Sequence, residues 1–220
     1  MGAGSHERGS LLGPDPLTGL LGRDALGAAV ARLPHPGELA DHACRSALLL
    51  VALDRFGDVN RRVGRSAADD LLVEVAQRIR VAAGPAAVVV RLGGDEFAVL
   101  LREPDSASVV NAIAETIVRA LARPFRFAAG VGVSGSRRAV TVGASIGIAC
   151  VGHDASADVS LDDVLLQADA AVQRAKARGR GRVEHFDVAV DAPRASDHPL
   201  QARRATECRL RTAIAHGGLE

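Results

Sequence analysis

The sequence predicts an α+β domain, a mixed sheet flanked by helices in a ferredoxin-like arrangement. Three observations carry that prediction. Strand-like and helix-like segments alternate along the chain. A tight hairpin signal, Gly93-Gly94-Asp95, sits between two apolar runs near the middle. Hydrophobic residues make up 48% of the 220 residues and aromatic residues only 2%, which gives one ordinary core built from aliphatic side chains.

Each element has a local reason. Asp15-Pro16-Leu17-Thr18-Gly19 reads as a turn leading into a helix through about Leu33, ended by Pro34 to Gly37. Ala47 to Leu53 is an unbroken apolar run with polar flanks, the pattern of a buried strand. A short helical stretch follows from Arg55 to Val63, and Ser66 opens a longer helix. Its residues Ala68, Leu71, Leu72, Val75, Ala76 and Ile79 fall on one face, and Gly84-Pro85 stops it. Ala86 to Leu92 and Glu96 to Leu101 form the arms of the hairpin. A helix from Ser106 to Leu121 turns Val109, Val110, Ile113, Ile117 and Leu121 inward. Phe125 to Val133 and Val140 to Cys150 read as strands around Ser134-Gly135-Ser136. Ser160 caps a helix with Val164, Leu165, Ala168, Ala171, Val172 and Ala175 inward, and Arg182 to Phe186 is a short last strand. The expected organisation is a lead-in over 1–14, a domain over 15–187, a polar linker over 188–199 and a tail helix over 200–220.

Composition excludes several function classes. A net charge of +1 gives no broad field for nucleic acid or a membrane surface. The longest apolar run is far short of a membrane span, and the N-terminal stretch lacks the apolar core of a signal peptide. Cys44, Cys150 and Cys208 have neither disulfide-framework nor zinc spacing, which fits a reducing cytoplasm.

The run Arg91-Leu92-Gly93-Gly94-Asp95-Glu96-Phe97 points to chemistry. Its glycines permit a tight turn and close approach of a ligand to the backbone. A carboxylate beside such a turn suits Mg²⁺, which takes oxygen ligands and binds alongside phosphates. Taken alone, the run fits equally an ordinary hairpin with a solvated acidic flank. It does not stand alone. With Asp15-Pro16-Leu17-Thr18-Gly19-Leu20, Leu53-Asp54-Arg55-Phe56, Asn60, Asp69, Val142 to Ala149, Ala168-Asp169-Ala170-Ala171, Lys176 and Arg180, it resembles the GGDEF family in order and spacing over residues 15–187.

The resemblance implies a mixed sheet of the nucleotidyl-cyclase and polymerase-palm type. It implies condensation of two GTP molecules into cyclic di-GMP by two domains meeting as a transient homodimer, with Mg²⁺ or Mn²⁺. Carried over by position, Gly93 and Gly94 lie along the phosphates. Asp95 and Glu96 are the catalytic pair, and Asp95 with the backbone carbonyl of Leu53 holds metal. Asn60 and Asp69 read the guanine edge, and Lys176 and Arg180 hold the terminal phosphates. Local physics offers rival roles. Asp69, three residues after Ser66, also completes a helix N-cap, and Lys176 and Arg180 also suit a helix C-terminus. Arg178 and Arg182 read as solvated.

The sequence departs from the family pattern where the first strand ends. The family's Asp-x-Asp-x-Phe-Lys is here Ala52-Leu53-Asp54-Arg55-Phe56-Gly57. A metal-ligand Asp is Ala52 and a phosphate-contact Lys is Gly57. The retained Asp54 is expected to face away from position 52, with Asp95 facing position 52 from the neighbouring strand. Weakened metal binding costs on the order of 10²- to 10⁴-fold in rate, unless a nearby carboxylate or water replaces the lost ligand. The product-inhibition motif Arg-x-x-Asp is Gly84-Pro85-Ala86-Ala87, without charge. Residues 204–220 resemble the start of an EAL phosphodiesterase domain, and an amphipathic tail helix fits them too. The reading favoured is a GTP-binding, catalytically impaired domain that regulates an attached or partner domain such as an EAL domain. An active diguanylate cyclase and a nucleotide-free dimerisation module are the alternatives.

Overall fold

The computed structural model describes residues 13–33, 46–128, 137–151 and 160–191. The elements run α1 (Arg23–Val30), β1 (Ser46–Leu53), α2 (Phe56–Val63), α3 (Arg65–Ala83), β2 (Val88–Gly93), β3 (Glu96–Arg102) and α4 (Ala107–Leu121). They continue with β4 (Phe125–Ala128), β5 (Arg137–Val140), β6 (Ala144–Val151), α5 (Leu161–Ala177), β7 (Val183–His185) and α6 (Val188–Asp191). The chain divides into two compact units, Met1–Asp187 and Val188–Glu220. In the second, the described part is the four-residue helix α6, which lies inside the stretch expected to be a linker. The expected tail helix over 200–220 and the Ser134-Gly135-Ser136 turn lie outside the described residues.

The first unit is the predicted α+β arrangement. A five-stranded sheet has the order β2-β3-β1-β6-β7, and β4 and β5 form a separate antiparallel pair. β1 lies in the middle, antiparallel to β3 and β6, and all eight of its residues are buried. Alternation splits its side chains between two cores. Ala47, Leu49, Val51 and Leu53 join the buried faces of α3 and α4. Leu48, Leu50 and Ala52 join α1 and α5. Helices therefore cover both faces, and a fully apolar strand is what such a position requires.

β6, α5 and β7 make the parallel crossover of the sheet. α5 lies so close on β6 that a methyl at Gly147 would sit 2.0 Å from the Ala168 carbonyl oxygen and 2.7 Å from the Val172 nitrogen. The inward faces predicted for α3 and α5 are buried as expected. On α4, Val109 is instead 37% exposed, and Ala114 takes its place in the core. Ser106 and Ser160 cap α4 and α5 through their hydroxyls, accepting from Val109 and Asp162 backbone N–H groups.

Two boundaries differ from the sequence expectation for physical reasons. The Asp15–Thr18 turn is as expected, but the first helix starts only at Arg23, because Leu21 bridges Val90 at the edge of β2 and keeps the residues just before the helix extended. Phe125 pairs with Val140 in the small β4–β5 sheet, while β6 starts afresh at Ala144 and joins the large sheet.

Candidate nucleotide site

The C-terminal end of β1, the β2–β3 hairpin, the start of β6 and the loop after α5 meet at one end of the large sheet. Gly93 is the last residue of β2 and pairs with Glu96, so the turn itself is Gly94-Asp95, one residue further on than the Gly93-Gly94 tip expected. A register shift between Arg91 and Gly93 produces that offset. Gly94 has φ +53° and Gly93 has φ +137°, both in the range that favours glycine. A Cβ added at either would meet nothing within 4 Å. Backbone conformation, not crowding, asks for glycine there, and the exposed backbone is open to a ligand.

Arg91 braces this hairpin. One guanidinium nitrogen donates to both Asp15 carboxylate oxygens at 3.0 and 3.2 Å, and the other donates to the Gly94 carbonyl at 2.7 Å. Its backbone N–H donates to Leu21 at 3.0 Å, closing the edge of β2 with the opening segment. Burial would raise the Asp15 pKa, but the Thr18 and Arg91 hydrogen bonds and the Arg91 charge together hold it below its ordinary value. Sequence reasoning missed this brace. Its only sequence signals are a cation directly before the glycines and an acid in the opening turn, too far apart in the chain to be paired by inspection.

Position 52 is sealed. Ala52 is 2% exposed and belongs to the apolar cluster with Ala98 and Ala168. Its direct partner on β3 is Glu96, and on β6 it is Ser145. Direct partners of an antiparallel pair share a face. Glu96 is therefore the residue across from Ala52. Asp95 sits one position further on, in the turn, where its backbone carbonyl accepts from the Leu53 N–H at 3.1 Å.

Asp54 also departs from expectation. Ser145 donates to one of its carboxylate oxygens at 2.7 Å, and Ser145 is the partner of Ala52. Asp54 thus lies on the same side as position 52, as residues two apart along a strand must. Its other oxygen accepts from the Gly181 N–H at 3.0 Å. Each oxygen accepts one hydrogen bond, which fixes the carboxylate between the start of β6 and the loop after α5. Among the described residues no group of three His, Cys, Asp or Glu comes together that could hold a metal ion. The donor set implied for Mg²⁺ or Mn²⁺ is incomplete at position 52.

The remaining predicted residues lie on α2, α3, α5 and the loop that follows α5. Asn60 is exposed on α2, which starts immediately beyond β1. Asp69 is half-buried and lies in the second turn of α3, because that helix begins at Arg65 with Gly64 as its cap. The capping-box role with Ser66 is therefore ruled out. Lys176 is in the last turn of α5. Arg180 follows in the loop, with φ +65°, and its N–H closes the helix by donating to Ala175 at 3.0 Å. Among the described residues, the side chains of Asn60, Asp69, Asp95, Lys176 and Arg180 make no hydrogen bond or ion pair. Arg178 and Arg182 are not simply solvated. With Arg174 they pair with Glu184, at 2.9, 3.6 and 3.2 Å. Burial would raise the Glu184 pKa, but hydrogen bonds from Arg178 and Arg174 and their charges hold it low.

An open cleft of about 680 Å³ lies at the other end of β2. Leu20, Leu21, Val81, Pro85 and Val88 line it together with Gly84 and Ala87, and Arg80 and Gln77 add a cation and an amide. The uncharged Gly84 to Ala87 stretch thus faces a cleft that does contain one charge, supplied by the preceding helix turn.

Comparison with known proteins agrees with this geometry. Residues 13–182 match the family described as diguanylate cyclase, GGDEF domain. The uncharacterized protein y4lL of Sinorhizobium fredii is 32% identical over 209 residues, 94% of this chain and 22% of that protein. The bifunctional diguanylate cyclase/cyclic di-GMP phosphodiesterase MucR of Pseudomonas aeruginosa is 36% identical over 150 residues, 67% of this chain and 20% of that protein. The chain thus spans about a fifth of the length of these relatives. Among solved structures, the isolated GGDEF domain of TpbB from Pseudomonas aeruginosa gives a TM-score of 0.69 at 32% identity, covering 81% of this chain and 96% of that one. The described residues contain no helix long and apolar enough to cross a membrane. With its sheet, its hairpin and its sequence all in agreement, the chain belongs to the GGDEF family of diguanylate-cyclase-type domains of cyclic di-GMP signalling.

Proposed function

We propose that this chain is a GTP-binding regulatory domain whose own cyclase chemistry is impaired. The observation that carries the reading is Ala52, a buried methyl directly across from Glu96 where the family pattern places a carboxylate. A methyl offers no oxygen to a divalent cation, and the neighbouring Asp54 is held by hydrogen bonds from Ser145 and Gly181. Gly57 likewise lacks the phosphate-contact lysine. Mg²⁺ or Mn²⁺ is accordingly held weakly, through Asp95 and the Leu53 carbonyl.

Binding survives because its side chains remain available. Asn60 and Asp69 recognise the guanine edge, Asp69 as an acceptor for its N–H donors. Gly93 and Gly94 present exposed backbone to the phosphates. Lys176 and Arg180 neutralise the terminal phosphates. Occupancy by GTP, in a transient homodimer or beside an EAL domain, is the signal the domain passes on. The intact Gly93-Gly94-Asp95-Glu96-Phe97 run favours a second reading, an active diguanylate cyclase.

Equilibrium titration of the purified chain with GTP, ATP and GMP tests the binding half. GTP is expected to bind best, with GMP losing the phosphate contribution and ATP the guanine contribution. Equal, weak binding of all of them would leave only a nucleotide-free role.

A further inference from the structure

We infer that Asp54 is a positioning residue that sets the loop carrying Arg180 for the terminal phosphates of the nucleotide. The inference rests on the proposed role of Arg180, and adds to it a residue that reaches the phosphates only through the loop.

The geometry is a three-way junction on one carboxylate. Asp54 is the first residue beyond β1, and its N–H donates to the Gly143 carbonyl at 2.8 Å. One carboxylate oxygen takes the hydroxyl of Ser145, which is fully buried at the start of β6. The other takes the N–H of Gly181, the residue after Arg180. Gly143 leaves room for this arrangement, since a Cβ there would sit 2.9 Å from the Asp54 oxygen that holds Gly181.

The loop needs such a hold. Gly179, Arg180 and Gly181 have φ of +111°, +65° and +60°, three successive residues outside the ordinary right-handed and extended regions. An arginine keeps a left-handed backbone only where its surroundings fix it. The start of the loop is fixed by the Arg180 N–H on Ala175, and its end by the Arg182 carbonyl, which accepts from Ile146 at 2.9 Å. Glu184 gathers Arg178 and Arg182 on the β7 side. Asp54 is the contact that ties the middle of the loop to the end of β1, beside the hairpin that carries Asp95. Displacing its carboxylate frees the Arg180 backbone to adopt other conformations while the guanine-reading helices α2 and α3 stay as they are.

Titration of wild type, Asp54→Ala and Gly143→Ala with GTP and with GMP tests this. Asp54→Ala removes the acceptors of both the Ser145 hydroxyl and the Gly181 N–H. Gly143→Ala keeps Asp54 but pushes its carboxylate aside, and the displaced atom is the end of a side chain, so the backbone need not move. Each variant is expected to raise the GTP dissociation constant about tenfold, ~1.4 kcal/mol, and to leave GMP binding unchanged. Gly143→Ala decides the matter if Asp54→Ala does not fold. Parallel weakening of GTP and GMP, or an undiminished GTP preference in a folded variant, overturns the positioning role alone. A wild type that binds GTP and GMP equally removes the role of Arg180 itself, and this inference with it.

Discussion

Ala52→Asp is the substitution whose outcome the structure constrains most tightly. The new carboxylate enters a site that is 2% exposed, lined by Ala98 and Ala168 and directly across from Glu96. Cβ atoms of such partners lie ~4.5–5.5 Å apart. Without a cation, burial and the like charge of Glu96 both work against ionisation. An incompletely paired buried charge costs roughly 2–4 kcal/mol. At about 2–4 °C per kcal/mol for a domain of this size, the melting temperature falls by roughly 5–15 °C in chelator. A divalent cation reverses the sign, because the new carboxylate becomes a ligand. A cation at about 100 times its dissociation constant returns ~2.7 kcal/mol. Thermal melts of wild type and variant with GTP, in chelator and in Mn²⁺, read this directly. The variant is expected to gain most of its lost stability from Mn²⁺, the wild type far less. Metal-dependent cyclic di-GMP formation rises with it, and Gly57→Lys adds to the rise in a coupled rather than additive way. A variant whose stability and turnover ignore the cation would refute the argument that position 52 is where metal binding was lost.

Other consequences are checked by simpler measurements. Asp69→Ala is expected to weaken GTP roughly 10- to 100-fold in titration and to leave ATP nearly unaffected; equal loss for both would remove its guanine role. Gly147→Ala drives a methyl into the α5 backbone and is expected to cost about 3 kcal/mol or more in denaturant unfolding, and a near-neutral result would contradict the close approach of α5. Asp15 has a lowered folded pKa, so its contribution is complete above the unfolded value and is lost as pH falls through the folded one. Melting temperatures followed from neutral to about pH 3 should therefore drop for wild type, and Asp15→Asn should start lower and drop less.

The fold was legible because its signals are local. The continuous apolar run of β1, the helical periodicity of α3 and α5 and the glycines of the hairpin each specify an element without reference to the rest of the chain. The site residues were legible only as positions in a pattern. What joins them is long-range. Arg91 reaches Asp15, Asp54 reaches Ser145 and Gly181, and Arg174, Arg178 and Arg182 converge on Glu184. Charged residues on a basic loop look solvated in sequence, and only the crossover that brings β7 beside α5 reveals their partner. Register mattered as much. A one-residue offset in the turn exchanges Asp95 for Glu96 as the neighbour of Ala52, and no composition or periodicity foretells it.

The central claim is a domain that holds GTP without efficiently converting it. The most direct measurement incubates the purified chain with GTP and Mg²⁺ or Mn²⁺, follows bound nucleotide by equilibrium dialysis and resolves the products chromatographically from the same sample. Saturable GTP binding is predicted, with cyclic di-GMP absent or formed on the order of 10²- to 10⁴-fold more slowly than by the Ala52→Asp, Gly57→Lys double variant. Cyclic di-GMP formed by the unmodified chain as fast as by the double variant would contradict the account and make the chain a working cyclase.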